Sequence, residues 1–168
     1  MNPYKILLEM KKMLRNLDAW MVKAKTHAEA KKFDTAVLAQ SRLAPDMLPF
    51  ARQVQISCDS AKFAFARLSG KEAPSHPDTE ATFPELHARI AKVLENLDSY
   101  AEADFATARE RMVTVRAFGE KPVPAMDYFV EHALPTFFFH VTTAYALLRH
   151  HGVDVGKKDY LGPLTGAA

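Results

Sequence analysis

Apolar residues recur along this chain at steps of three and four over several long stretches, the spacing of one face of an α-helix. The first stretch runs through Leu7, Met10, Leu14, Leu17, Met21, Ala24 and Ala28 and predicts a helix to about Lys31, with Asn2 and Pro3 as N-cap and first helical residue. Trp20 stands beside this stripe and is expected to pack at its edge. Residues 33–45 mix polar positions with Phe33, Val37, Leu38 and Leu43, which is too apolar for a free linker and predicts a packed connection with one short helical turn. Asp46 and Pro49 mark the start of a second helix. Its stripe of Met47, Phe50, Val54, Cys58, Ala61, Phe65 and Leu68 ends at Gly70, a natural left-handed terminator. Lys71 to Ala81 carries two prolines and reads as an exposed, mobile loop.

Thr82 and Glu85 then form a capping box, in which each side chain can serve a backbone N–H of the other. The helix it opens continues through Leu86, Ile90, Val93 or Leu94, and Leu97. A short turn at Ala101 to Ala108 follows. Met112 to Val115 reads as a strand, Gly119-Glu120 as a turn, and Pro122 to Pro124 as a frayed edge, together a small β-hairpin before the last long helix. That helix begins near Ala125. From Phe129 to Gly152 it is apolar on nearly every side, and Phe137, Phe138 and Phe139 point three ways at once, so most of its circumference is expected to be covered by the other helices. Pro135 denies the carbonyl of Glu131 its usual partner and predicts a kink or break between the two. His150 and His151 fill the last turn, Gly152 closes it, and Tyr160 with Leu161 is the expected anchor of a surface tail. The pattern is that of an all-α protein, a four-helix bundle in a single domain.

Composition narrows the class. The chain has 168 residues, 48% hydrophobic and 25% charged, enough for one core without covalent staples. Its 22 Lys and Arg against 20 Asp and Glu leave a net charge of +2, too weak a field to imply nucleic acid as a partner. One cysteine, Cys58, rules out an internal disulfide, and the charged start MNPYKILLEMKKML has neither a signal-peptide core nor a spanning segment. A cytoplasmic protein without a membrane role is expected.

Motif chemistry is sparse. There is no Gly-rich phosphate loop, Cys-x-x-Cys, Gly-x-Ser-x-Gly or His-Glu-x-x-His. Four of the seven histidines lie on the last helix, but His132 and His140 are eight residues apart, roughly 12 Å of rise. One ion cannot be reached by both unless the kink rearranges them. His150 and His151 diverge by roughly 100° around the axis and cannot pinch an ion either. The ordinary reading of His140 is a hydrogen-bonded core histidine; the sharper one is a ligand or general base. On the second helix Arg52, Gln55, Asp59 and Phe63 share a face away from the main stripe. Their ordinary reading is a solvated face or an Arg52–Asp59 pair. The sharper one is a polar pocket in which Gln55 and Asp59 look toward His140. Cys58 on the apolar stripe reads as a small buried hydrophobe.

Arg42 to Lys62 (RLAPDMLPFARQVQISCDSAK), Thr82 to Leu94 (TFPELHARIAKVL) and Leu134 to Gly162, with its FFFHVTTAYA run, resemble an uncharacterised bacterial domain-of-unknown-function family within the DinB/YfiT-like superfamily. The resemblance covers nearly the whole chain. It implies an up-and-down four-helix bundle, often dimeric, with relatives that are metalloenzymes and thiol-dependent transferases. Such relatives hold a divalent metal with three histidines, one late in the second helix and two spaced by four on the last long helix. This chain departs from that pattern: no histidine lies between Asp46 and Gly70, and the positions four away from His140 are Thr136 and Ala144.

The leading functional expectation is therefore a cytoplasmic, DinB-like homodimer without the three-histidine site and without a cofactor. It would bind a small molecule between helices two and four through Arg52, Gln55, Asp59 and His140. Two alternatives stay open. One is a metal- or thiol-dependent transferase or hydrolase with Zn, Ni or Mn, using His140 and Asp59 as catalytic groups. The other is a non-catalytic dimeric interaction module.

Overall fold

In the computed structural model, which describes residues 2–115, 119 and 121–164, the periodic stretches become four long helices around one core. The order is α1 (Pro3–Lys31), α2 (Thr35–Ala39), α3 (Phe50–Ser69), α4 (Phe83–Asp98), a 3₁₀ turn (Glu102–Phe105), β1 (Met112–Thr114), β2 (Pro122–Pro124), α5 (Ala125–Tyr128), a π turn (Phe129–Ala133), α6 (Leu134–His150) and α7 (Lys157–Leu161). α1 and α3 each pack against the three other long helices, while α4 and α6 face each other across the diagonal. β1 and β2 pair antiparallel, with Val113 opposite Val123. No helix among the described residues is long and apolar enough to cross a membrane.

The helix ends follow from local chemistry. Asn2 accepts the Tyr4 N–H at 2.9 Å and opens α1 with Pro3 in its first turn. Thr82 and Glu85 form the reciprocal box that opens α4. Gly70 ends α3 at φ +77°, where a side chain would be strained and would also run into the Arg111 guanidinium. The second helix starts later than its sequence suggests. Pro49 is extended and occupies the cap position without a side-chain bond, so Asp46 and Met47 stand outside α3 in a preceding turn. In α4, Val93 takes the core position that the pattern left between it and Leu94.

Other expectations are revised by packing. Trp20 is fully buried rather than at an edge; its ring stacks on Tyr160 at 5.6 Å and its Nε1–H donates to the Asp159 carbonyl at 3.1 Å. Tyr160 thus anchors the tail, which forms α7, while Leu161 remains exposed. The last helix is not enclosed all round. Phe137, Val141, Ala144, Leu147 and Leu148 enter the core, Phe138 is half-buried, and Phe139 is 56% exposed, because successive residues diverge by roughly 100° and the bundle covers only one side. The hairpin turn includes Gly119 at φ +70°, whereas Glu120 lies outside the described residues.

Pro135 acts one turn before itself. It has no N–H to give the preceding turn, and the chain accommodates this by widening: the Leu134 N–H bonds the Phe129 carbonyl, five residues back. The π turn re-phases the helix so that Tyr128 and His132 approach α3 beside Thr136.

Phe137 is fully buried at the α6 contact, so Phe137→Ala is expected to lower unfolding free energy by about 3–5 kcal/mol in urea denaturation. A loss under about 1 kcal/mol would mean that α6 does not pack as described.

Candidate functional site

The polar face of α3 meets the loop between α3 and α4. Although mostly exposed, that loop is tethered through its side chains. Arg89 of α4 is 2% exposed and gathers three acids: Asp59 of α3 at 2.8 Å, and Asp78 at 3.3 Å and Glu80 at 3.1 Å from the loop. Lys62, 1% exposed, pairs with Asp59 at 2.7 Å and lies 3.3 Å from Nδ1 of His76. Arg52 pairs with Asp78 at 2.7 Å and donates to Oε1 of Gln55 at 2.6 Å. The Gln55 amide in turn donates to the Glu80 backbone and carboxylate. Ions removed from water persist only when paired this closely.

The structure brings Arg52 and Gln55 into direct contact and places Asp59 in the same network. His140 stands apart. Its Nδ1 bonds Oε1 of Gln53 at 2.7 Å, so neither Gln55 nor Asp59 is its partner. Asp59 pairs with Lys62 and Arg89, because α3 turns residue 59 toward α4 and residue 53 toward α6.

Beside this network lies a cavity of about 270 Å³ between α3 and the α5–π–α6 segment. Arg52, Asp59 and Arg67 line it from α3, Asp78 from the loop, and Tyr128, His132 and Thr136 from the other side; Ile56 and Phe63 supply apolar wall. Arg67 donates to the Tyr128 hydroxyl at 2.7 Å, with its guanidinium carbon 5.0 Å from the Phe63 ring centroid and 4.8 Å from that of Tyr128. Sequence reasoning passed over Arg67 and Tyr128, and weighed His132 and Thr136 only in relation to His140. A signal existed for Arg67, which continues the row of Asp59 and Phe63 by one more turn. For His132 and Thr136 there was the spacing of four, sought around His140 instead.

Electrostatics separates these groups. Burial alone would lower the Arg89 pKa, but Asp59 and then Glu80 outweigh it and hold the guanidinium above its usual value. Burial pushes the Cys58 thiol up to about 12, so Cys58 is no thiolate at neutral pH. Burial, then the Tyr128 neighbour Arg67 acting in the opposite sense, leaves the phenol above its ordinary value and protonated. His140 and His76 are lowered, each first by burial and then by a cation, Arg52 and Lys62 respectively. Among the described residues no group of three or more His, Cys, Asp or Glu side chains is arranged to hold a metal ion. The three-histidine set that the resemblance implies is not assembled among the described residues.

The comparisons agree with the architecture. Residues 4–161 match the model of the family described as Domain of unknown function (DUF1993), and the chain belongs to that family. A crystal structure of a DinB family member protein from Shewanella denitrificans is 48% identical, covering 96% of this chain and 92% of that one, with a TM-score of 0.91. No curated protein matches.

Two outcomes are expected. Asp59→Asn should cost about 3–5 kcal/mol in chemical denaturation, since buried Lys62 loses its carboxylate while Arg89 keeps Asp78 and Glu80. The histidines give a pH dependence. With folded-state pKa values below the ordinary 6.5, His140 and His76 bind fewer protons in the native state than in the unfolded one. Their contribution is complete above pH 6.5 and is lost as pH falls through the lowered values. Stability should decline on acidification below that point, and His140 should titrate below 6.5 by NMR; a midpoint above it would contradict the burial described here.

Proposed function

We propose that this DinB-like chain is a small-molecule-binding protein whose ligand occupies the cavity between α3 and the α5–α6 segment. The carrying observation is convergence. Arg52, Asp59 and Arg67 line one side and Tyr128, His132 and Thr136 the other, around a concave space with an apolar wall. Polar and charged groups outnumber apolar ones in this lining, so hydrogen bonds and charge would orient a ligand there, with Ile56, Phe63 and Ala133 as apolar wall. The π turn supports the reading, since such turns recur where a helix presents side chains to a site. So does the buried Arg89 network, which holds α3, α4 and the loop against one another before any ligand arrives. Arg52 and Asp59 line the cavity and Gln55 braces Arg52, while His140, bonded to Gln53, lies outside the lining.

The same reading takes the protein as a cytoplasmic homodimer. Support comes from the buried lone cysteine and from Phe139 and Leu43, exposed on a shallow apolar surface beside α6.

A panel of neutral, cationic and anionic fragments titrated into labelled protein should shift amide resonances of residues 52–67 and 128–136, and Ser60→Trp, which fills the cavity, should abolish those shifts while the fold is retained. If no fragment perturbs these amides, the ligand-binding reading is wrong. Light scattering at tens of micromolar should give twice the chain mass of 18.8 kDa, and a monomer would remove the dimer.

A further inference from the structure

Four cations, Arg52, Lys62, Arg67 and Arg89, belong to the cavity or the network beside it, with three carboxylates among them, Asp59, Asp78 and Glu80. Every one of those carboxylates is engaged by a cation other than Arg67. Asp59 holds Lys62 and Arg89, Asp78 holds Arg52 and Arg89, and Glu80 holds Arg89 and the Gln55 amide. Arg67 has no carboxylate among the described residues, and its one hydrogen-bond acceptor there is the Tyr128 hydroxyl at 2.7 Å. The surplus positive charge of the cluster therefore resides on Arg67, at the cavity wall.

Its setting is that of a prepared anion receptor. The guanidinium carbon lies over two aromatic rings, with centroids at 5.0 Å and 4.8 Å, contacts that hold it in place without using its N–H donors. A guanidinium presents five such donors in a flat fork, and the bond to Tyr128 consumes one. The phenol oxygen accepts from Arg67, so its own hydrogen remains available to a second acceptor, and the raised pKa keeps that hydrogen in place. A carboxylate matches the fork geometrically and can take the phenol proton as a further bond. Ile56, Phe63 and Ala133 continue the wall with apolar surface.

We infer that the cavity takes a small organic carboxylate, its anionic end held by Arg67 and Tyr128 and its apolar body laid against Ile56, Phe63 and Ala133. This rests on the ligand-binding reading above and names the class of ligand that the same cavity selects.

The probes are benzoate, its neutral isostere benzamide, and inorganic phosphate, titrated into the full chain and read by the cavity amides. Benzoate should bind about tenfold or more tightly than benzamide, and Arg67→Met should remove that advantage while leaving benzamide within about twofold. Arg67→Lys, which keeps charge and stem but loses the fork, should fall between, and serves as the test if the Met variant does not fold. Tyr128→Phe should weaken benzoate alone. Equal binding of benzoate and benzamide, or no effect of either Arg67 variant, would overturn the carboxylate assignment and leave the cavity reading intact. Phosphate binding as tight as benzoate would make the site a receptor for inorganic anions, which also overturns it. Absence of any cavity shift with all three probes and with neutral fragments would remove both readings together.

Discussion

A buried guanidinium organises this molecule. Arg89 reaches from α4 into a space that water hardly enters, and an ion in that position is tolerable only if carboxylates are brought to it. Asp59 comes from α3, and Asp78 and Glu80 come from the intervening loop. Satisfying one charge therefore fixes the relation of two helices and pins a connection that has no regular structure of its own. The arrangement is incompletely satisfied: the Arg89 Nε has no partner among the described residues, so the network's strength rests on the terminal nitrogens. Lys62 joins through Asp59, and Arg52 through Asp78, so the polar face of α3 behaves as one unit.

A second constraint acts from the opposite wall. Pro135 removes a donor from the helix that carries Tyr128, His132 and Thr136, and the extra residue of the π turn is the response. Without it, residues before and after the proline would follow one helical phase. With it, Tyr128 is turned under Arg67 while Phe137 still points into the core. The cavity exists because a rigid ionic wall on α3 faces a re-phased helix whose side chains reach toward it without filling it. Neither constraint involves His140, whose bond to Gln53 belongs to the α3–α6 contact.

Close agreement with the Shewanella DinB family member, at 48% identity and a TM-score of 0.91, shows that this architecture accommodates considerable sequence change. Within it the described residues lack the donor cluster that a three-histidine metal site would need, while they retain a cavity flanked by charge.

Much of the fold was legible before any coordinate. The stripes of α1, α3 and α4, the capping box at Thr82 and Glu85, the stop at Gly70, the hairpin and the disturbance ahead of Pro135 are all local: each depends on residues within a few turns, and periodicity records them directly. What tertiary structure alone decided is which polar groups meet. Sequence placed Arg52, Gln55 and Asp59 on one face, but nothing in their spacing says that Asp59 turns to Arg89 of α4 and away from His140, because that depends on how the helices are rotated against one another. Exposure of Phe139 and burial of Trp20 have the same origin. An apolar side chain states a preference for cover, and only the packed neighbours determine whether cover is present.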